Sequence, residues 1–208
     1  MKIYENMFVL RNTDAADVYQ VHQRLDYHIQ ETRGVKLAYS WFHQAHPQRP
    51  DATIILMRSE IPLEMAGEKS LEVHLTEGMR LKFKAVANRK VVDRSESTPE
   101  RRITRYLPCS KDLMLRLFPG LMERAGFSDV EVVHVGQESR HINVRTKGRR
   151  PFSLLGHHLE VVATVANVAA AEQAIAQGVG SNRIFGFGML RELAFDVLDG
   201  GQVIGQHI

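Results

Sequence analysis

Met79-Arg80-Leu81-Lys82-Phe83-Lys84-Ala85-Val86-Ala87 opens with a strict alternation of apolar and basic residues, the period of a strand with one buried and one wet face. Its position decides the fold, because an order of elements already present upstream starts again here. Upstream, residues 3–10 form an apolar, β-rich run. Thr13 and Asp14 are N-cap candidates, and Asp17 puts a carboxylate where the helix dipole favours it. Val18, Val21, Leu25 and Ile29 then mark the buried stripe of a helix over about 14–30, with Gly34 after its end. Residues 37–42 and 52–57 read as strands joined by a polar loop holding Pro47 and Pro50. Pro62 starts a short helix ending near Gly67, and 71–75 is a last short strand. Downstream of Ala87, Ser110 caps a helix from Lys111, interrupted at Pro119-Gly120 and closed at Gly126. Residues 130–135, 141–145 and 159–165 read as strands, 169–177 as a helix and 184–191 as the closing strand.

Two successive β-α-β-β-α-β units result, each the ferredoxin-like arrangement. The expectation is an α+β protein of tandem ferredoxin-like (RRM-like) domains, antiparallel sheets with packed helices. An N-terminal domain would cover 1–77 and a C-terminal one 78–208. The halves share architecture without detectable identity, and a single mixed sheet is the alternative.

The chain has 208 residues, with 27 Lys+Arg, 24 Asp+Glu and a formal net charge of +3. The total conceals a segregation. Residues 1–78 carry 8 cations and 11 anions, 79–150 carry 17 and 8, and 151–208 carry 2 and 5. A net +9 centre between two ends of −3 points to a polyanionic partner. The single cysteine, Cys109, excludes an internal disulfide framework and thiolate-rich zinc sites. The first six residues hold no apolar signal core, and no uncharged run approaches the ~20 residues of a membrane span, so a cytoplasmic protein is expected.

Two clusters make up the basic centre: Lys90, Arg94, Arg101, Arg102 and Arg105, then Arg140, Arg145, Lys147, Arg149 and Arg150, with no acid between 139 and 159. A charge run by itself is usually a solvated face. Two of them on loops and strand edges suit a phosphate backbone. RNA is preferred to DNA by analogy with RNA-recognition sheets, although the aromatic signature for base stacking is absent.

Gly178-Val-Gly-Ser-Asn-Arg-Ile-Phe-Gly-Phe-Gly188 is the most specific stretch of the chain. Phosphate-binding glycine loops lie after a strand and before a helix; here a helix precedes and a strand follows, and the Walker lysine is missing. On physical grounds Gly178 serves as a left-handed helix C-cap, while Gly180, Gly186 and Gly188 allow close approach of backbone. A tight turn with close packing needs no ligand.

This glycine pattern near the C-terminus resembles the glycine-rich loop of CRISPR-associated repeat-processing endoribonucleases. With Asp17-Val-Tyr-Gln-Val-His-Gln-Arg-Leu25, Arg80 to Asn88, and Leu159 to Leu190, the chain resembles more closely the CasE type, the crRNA-maturation subunit of type I-E Cascade. The likeness is poor from about 95 to 158 and leaves the tail from Leu193 unassigned. It implies an antiviral-defence RNA endonuclease that binds a CRISPR repeat hairpin and cuts pre-crRNA without metal or other cofactor. The protein would then stay on the crRNA 3′ hairpin and join a crRNA-guided effector complex, of type I-E or a similar type IV system. It also implies roles for Gly178, Gly180, Arg183, Gly186 and Gly188.

Tyr19 and His22 are three apart and share one helix edge. Read alone, such a histidine is a polar boundary residue; the resemblance makes it the general acid–base group, with Tyr19 hydrogen-bonding the nucleophile or a phosphate oxygen. An imidazole titrating near neutrality can move the protons that attack of a 2′-OH on the adjacent phosphate requires. Some family members carry a lysine one turn on, where this chain has Asp26 and Tyr27; Arg24 or a cation of the basic centre would then meet the developing charge. His43, His46 and His157-His158 form no recognised metal spacing. The readings from other classes are a non-catalytic crRNA-hairpin-binding subunit and, remotely, a small-molecule enzyme. Residues 195–204 would form a small hairpin over the core or contact a partner.

Overall fold

The computed structural model describes residues 1–34, 36–93, 105–142 and 152–195. The first sheet holds β1 (Lys2–Arg11), β2 (Tyr39–His46), β3 (Arg49–Ser59) and β4 (Lys69–Glu72), in the order β2-β3-β1-β4. The second holds β5 (Arg80–Ala87), β8 (Phe127–Ile142), β9 (Phe152–Val165) and β10 (Arg191–Phe195), in the order β10-β5-β9-β8. All pairings are antiparallel. In each sheet the first and third strands lie side by side, flanked by the second and fourth, which is the ferredoxin-like order twice over. A ribbon of β6 (Lys90–Asp93) and β7 (Arg105–Pro108) follows β5.

Helices α1 (Asn12–Ala15) and α2 (Val18–Arg33) occupy the first crossover of the first sheet, and α3 (Lys111–Arg124) and α4 (Val168–Gln177) serve the second. The single helix expected over 14–30 is split. Asp17 is held extended and its carboxylate accepts from Tyr19 N at 3.1 Å, restarting the helix as its N-cap. The buried stripe is Val18, Val21, Leu25 and Ile29, as its periodicity implied. Gly34 ends the helix in the left-handed region, its N–H bonded to Gln30 O.

Other boundaries differ for local reasons. Pro47 and Gln48 make the β2–β3 turn, and Pro50 lies inside β3, before Ala52 where pairing to β1 starts; there a missing amide costs little. No helix forms at 62–67, because the Glu68 carboxylate takes the amides such a helix would use. It accepts from Leu63 N at 2.7 Å and Glu64 N at 3.3 Å, and Glu64 and Gly67 both have positive φ. Pro119 does not interrupt α3, whose buried Met114, Phe118 and Met122 run through it; burial of that stripe outweighs one lost backbone bond. The strand expected over 130–135 and the first two residues of the one expected over 141–145 belong to one 16-residue strand, β8, because a bulge between His134 and Gly136 absorbs the irregularity and β9 pairs onward to Ile142; residues 143–145 lie outside the described residues. The closing strand is Arg191–Phe195, not 184–191, because the glycine loop extends to Leu190. The tail expected to form a hairpin lies outside the described residues from 196 on.

Both halves contribute to two hydrophobic cores. Ile3, Val73 and Leu75 pack with the second sheet, α3 and α4. In the other core, Val86, Leu154, Phe185, Phe187 and Met189 pack under α2 with Trp41 and Met57. Polar bonds stitch the same seam: Ser40 Oγ donates to Ala176 O, and Arg58 Nη1 donates to Ile175 O and Leu190 O. The end of α4 is thereby fixed against β2 and β3. No helix of the described residues is long and apolar enough to cross a membrane.

Candidate active site on the second helix

The buried stripe of α2 sets which neighbouring side chains stand at its rim. Tyr19 and His22 lie on one edge, their rings 6.5 Å apart between centroids. The other side of Tyr19 meets Phe185 of the glycine loop at 6.4 Å, and Phe185 also packs edge-on against Phe152. The structure thus brings together three features far apart in the chain: the α2 edge, the glycine loop and the start of β9.

His22 is 15% exposed and has close partners on both ring nitrogens. Nδ1 lies 2.7 Å from Tyr39 Oη, and Nε2 lies 3.3 Å from Asp26 Oδ2 one turn along the helix. Tyr39 Oη in turn donates to Asp26 Oδ1 at 2.8 Å. Burial lowers the His22 pKa, and the Asp26 charge offsets only part of that, so the imidazole is neutral at neutral pH. Burial raises the Tyr39 pKa far above the usual phenol range, and the bond to Asp26 raises it further; the hydroxyl keeps its proton. Sequence reasoning missed Tyr39. It named Asp26 only as the occupant of a lysine's place, and nothing in spacing reveals a partner that tertiary pairing of α2 with β2 supplies.

The glycine loop is built by packing. It runs from the end of α4 through a 3-10 turn (Arg183–Phe185) to β10. Gly178 ends α4 at φ 75, ψ 172, a region open essentially to glycine alone rather than the left-handed cap expected. Gly188 has φ +81, and a Cβ there would collide with the carbonyl oxygen of Val179. Its own groups bond Val86 O and Val179 N, both at 2.8 Å. Gly186 leaves room for the Arg140 guanidinium and the Trp41 ring, and Gly180 faces Leu121. Arg183 is exposed, and its Nη1 bonds Gln177 O at 3.1 Å at the end of α4.

The basic residues divide. Arg24 stands on α2, half exposed, 3.6 Å from Asp14. Lys90 and Arg105 open and close the β6–β7 register with Pro108 and Asp93, but their side chains lie outside the described residues, as do Arg94, Arg101, Arg102, Arg145, Lys147, Arg149 and Arg150 altogether. Arg140 requires a correction. Counted with the RNA-contacting cluster, it is 2% exposed and shares its guanidinium between Glu138 Oε1 at 2.6 Å and Phe185 O at 2.6 Å. Its Cζ lies over the Phe187 ring, 4.2 Å from the centroid. Burial and these bonds set Arg140 apart from the exposed cation that its grouping implied. It ties the long β8–β9 hairpin to the glycine loop instead. Among the described residues no three His, Cys, Asp or Glu side chains are grouped to hold a metal ion.

A family model described as CRISPR associated protein matches residues 9–191. No curated protein matches the chain. Among solved structures, Thermus thermophilus Cse3 bound to an RNA representing a pre-cleavage complex is similar at 16% identity and a TM-score of 0.67, over 95% of this chain and 100% of that one. The CRISPR-associated protein Cas6e from Escherichia coli is similar at 17% and 0.63, over 94% and 98%. A chain of a CRISPR RNA-guided surveillance complex is similar at 18% and 0.61, over 92% and 99%. At such identities the likeness carries the fold.

Proposed function

Because this chain belongs to the CRISPR-associated protein family, we propose that it is an endoribonuclease that binds the hairpin of a CRISPR repeat transcript and cuts at the 3′ base of the stem, without metal. The observation that carries this reading is the placing of His22, with Tyr19, at the rim of α2 beside the glycine loop. A neutral, partly accessible imidazole suits proton transfer to and from an RNA hydroxyl. The substrate supplies its own nucleophile. The 2′-OH loses its proton as O2′ bonds to phosphorus, the P–O5′ bond breaks, and O5′ leaves with a proton. The products are a 2′,3′-cyclic phosphate, or the 3′-phosphate after hydrolysis, and a 5′-OH. Arg24 and the cations after Asp93 and Ile142 supply positive charge for the stem and for the phosphorane oxygens. After cleavage the protein stays on the 3′ hairpin and joins an effector complex.

The test is cleavage of repeat-hairpin RNA in EDTA under single turnover. Cleavage is expected to persist in EDTA and to fall by about 10²–10⁴-fold in His22→Ala. A 2′-deoxy nucleotide before the scissile bond should abolish it. Tight hairpin binding without any cleavage would replace this reading with that of a non-catalytic hairpin-binding subunit.

A further inference from the structure

Two side chains beside His22 belong to no role described so far. Tyr39 opens β2, and Asp26 lies one turn past His22 on α2, its side chain 55% exposed. The three groups form a chain of short contacts: His22 Nδ1 to Tyr39 Oη at 2.7 Å, and Tyr39 Oη to Asp26 Oδ1 at 2.8 Å. A phenol has one proton. Given to the Asp26 carboxylate, it leaves the phenol oxygen only lone pairs to present to His22, so Nδ1 must carry hydrogen. Burial keeps the phenol protonated, and the direction follows from distance: turning that proton to Nδ1 would leave Tyr39 Oη and Asp26 Oδ1, two acceptors, 2.8 Å apart.

We infer that Tyr39 and Asp26 are positioning residues that hold His22 as the Nδ1–H tautomer, making Nε2 the atom that exchanges protons with RNA. Asp26 also acts on that same Nε2: its Oδ2 stands 3.3 Å away, an acceptor beside an acceptor in the neutral ring, which makes Nε2 readier to take a proton. When Nε2 takes the O2′ proton, a carboxylate is already beside the new imidazolium, and Tyr39 Oη accepts from Nδ1–H in both charge states. The pair therefore favours His22 as base in the attacking half of the reaction. The groups facing the imidazole among the described residues are Asp26 and Tyr19 from α2 and Tyr39 from β2; no cation is among them. The inference rests on the nuclease reading for its chemistry, but the tautomer is a property of the free protein.

The experiment is long-range proton–nitrogen correlation of the histidine rings in labelled protein without RNA, assigned with His22→Gln. His22 is expected to show a protonated Nδ1 and a bare Nε2 at pH 7.5. Tyr39→Phe should lose that preference, and Asp26→Asn should lower the midpoint of the His22 titration, because it removes the charge that favours the imidazolium. With RNA, Tyr39→Phe should slow cleavage about 10–10²-fold with hairpin affinity and thermal midpoint unchanged, a pattern that loss of packing would not produce. If Tyr39→Phe fails to fold, Asp26→Asn at the exposed end of these contacts tests the arrangement through the His22 titration instead, and an unchanged midpoint there would overturn it. A protonated Nε2 in the wild-type protein, or a tautomer indifferent to Tyr39→Phe, would overturn the inference. Wild-type protein that never cleaves would overturn the nuclease reading while the ring spectrum still decides the relay.

Discussion

Among the described residues two arginines are buried, and they do different things with the same chemistry. Arg58 on β3 pairs with Glu5, its cross-strand partner in the β1–β3 register, at 2.9 and 2.5 Å, and its remaining N–H groups reach Ile175 O and Leu190 O. Arg140 on β8 pairs with Glu138, two residues earlier on the same strand face, and reaches Phe185 O. Arg58 is set by two rigid elements and closes a seam between the halves. Arg140 is set by one hairpin and holds a loop. Only the second lies one residue from the candidate chemistry, since Phe185 touches Tyr19. An ion pair closed on both sides by sheet and helix fixes architecture; one that ends on a loop carbonyl controls where that loop rests.

The strongest way to break the comparison is to remove each cation. Taking one partner from a buried pair leaves an uncompensated charge, at a cost of about 3–5 kcal/mol. Arg58→Met belongs at the upper end, because it also strands the carbonyls of Ile175 and Leu190. Arg140→Met belongs lower, because Glu138 keeps His158 Nε2 at 3.2 Å. Urea unfolding should rank them in that order. Cleavage measured at equal folded fraction should reverse it, falling for Arg140→Met and holding for Arg58→Met; equal cleavage losses would make the two pairs equivalent.

Arg140 also shows what a sequence makes legible. The α2 stripe and the shared edge of Tyr19 and His22 could be read, because both follow from helical period alone. So could the strand order, from the pattern restarting at Met79. A charge count could not separate a solvated arginine from a buried one. The available signal was Glu138-x-Arg140 on a strand, which puts acid and base on one face; the expectation weighed the cations beyond it instead. Glu68 defeated the helix at 62–67 in the same manner, through a carboxylate whose partners are backbone amides. Tyr39 left no trace, since its phenol meets His22 only once β2 and α2 have packed.

A smaller perturbation targets the loop side only. Gly186 has φ +77, and a Cβ there would sit 2.6 Å from Arg140 Nη1 and 3.2 Å from the Trp41 ring. Gly186→Ala should cost about 2–4 kcal/mol, from left-handed strain plus overpacking. Gly180→Ala, at φ +80, would meet only the end of Leu121 at 3.2 Å and should cost about 1–2 kcal/mol of backbone strain. Equal denaturation midpoints for the two variants would mean that Arg140 can move aside, and that the loop does not depend on it.

Acid gives an effect smaller than that of removing either cation, and it too should fall on the Arg140 side. His43 on β2 is pushed down to about 4, first by burial and then by the Arg140 charge, with Glu138 opposing. Its unfolded value is about 6.5, so below that the unfolded chain binds the extra proton and the folded one does not. The stability held above pH 6.5 is therefore lost as pH falls towards 4, about 2 kcal/mol of it by pH 5. Glu138 contributes in the same direction at lower pH. Burial pushes its pKa up, but the charge and hydrogen bond of Arg140, with His43 and His158, hold it below the ordinary carboxylate value; that contribution fades as pH falls through the lowered value. Arg58 has a carboxylate and two carbonyls around it, none of them an imidazole. Urea midpoints should accordingly drop between pH 7 and 5 in the wild-type protein and drop less in His43→Gln. An identical drop in both would place the acid sensitivity elsewhere and remove this distinction between the two arginines.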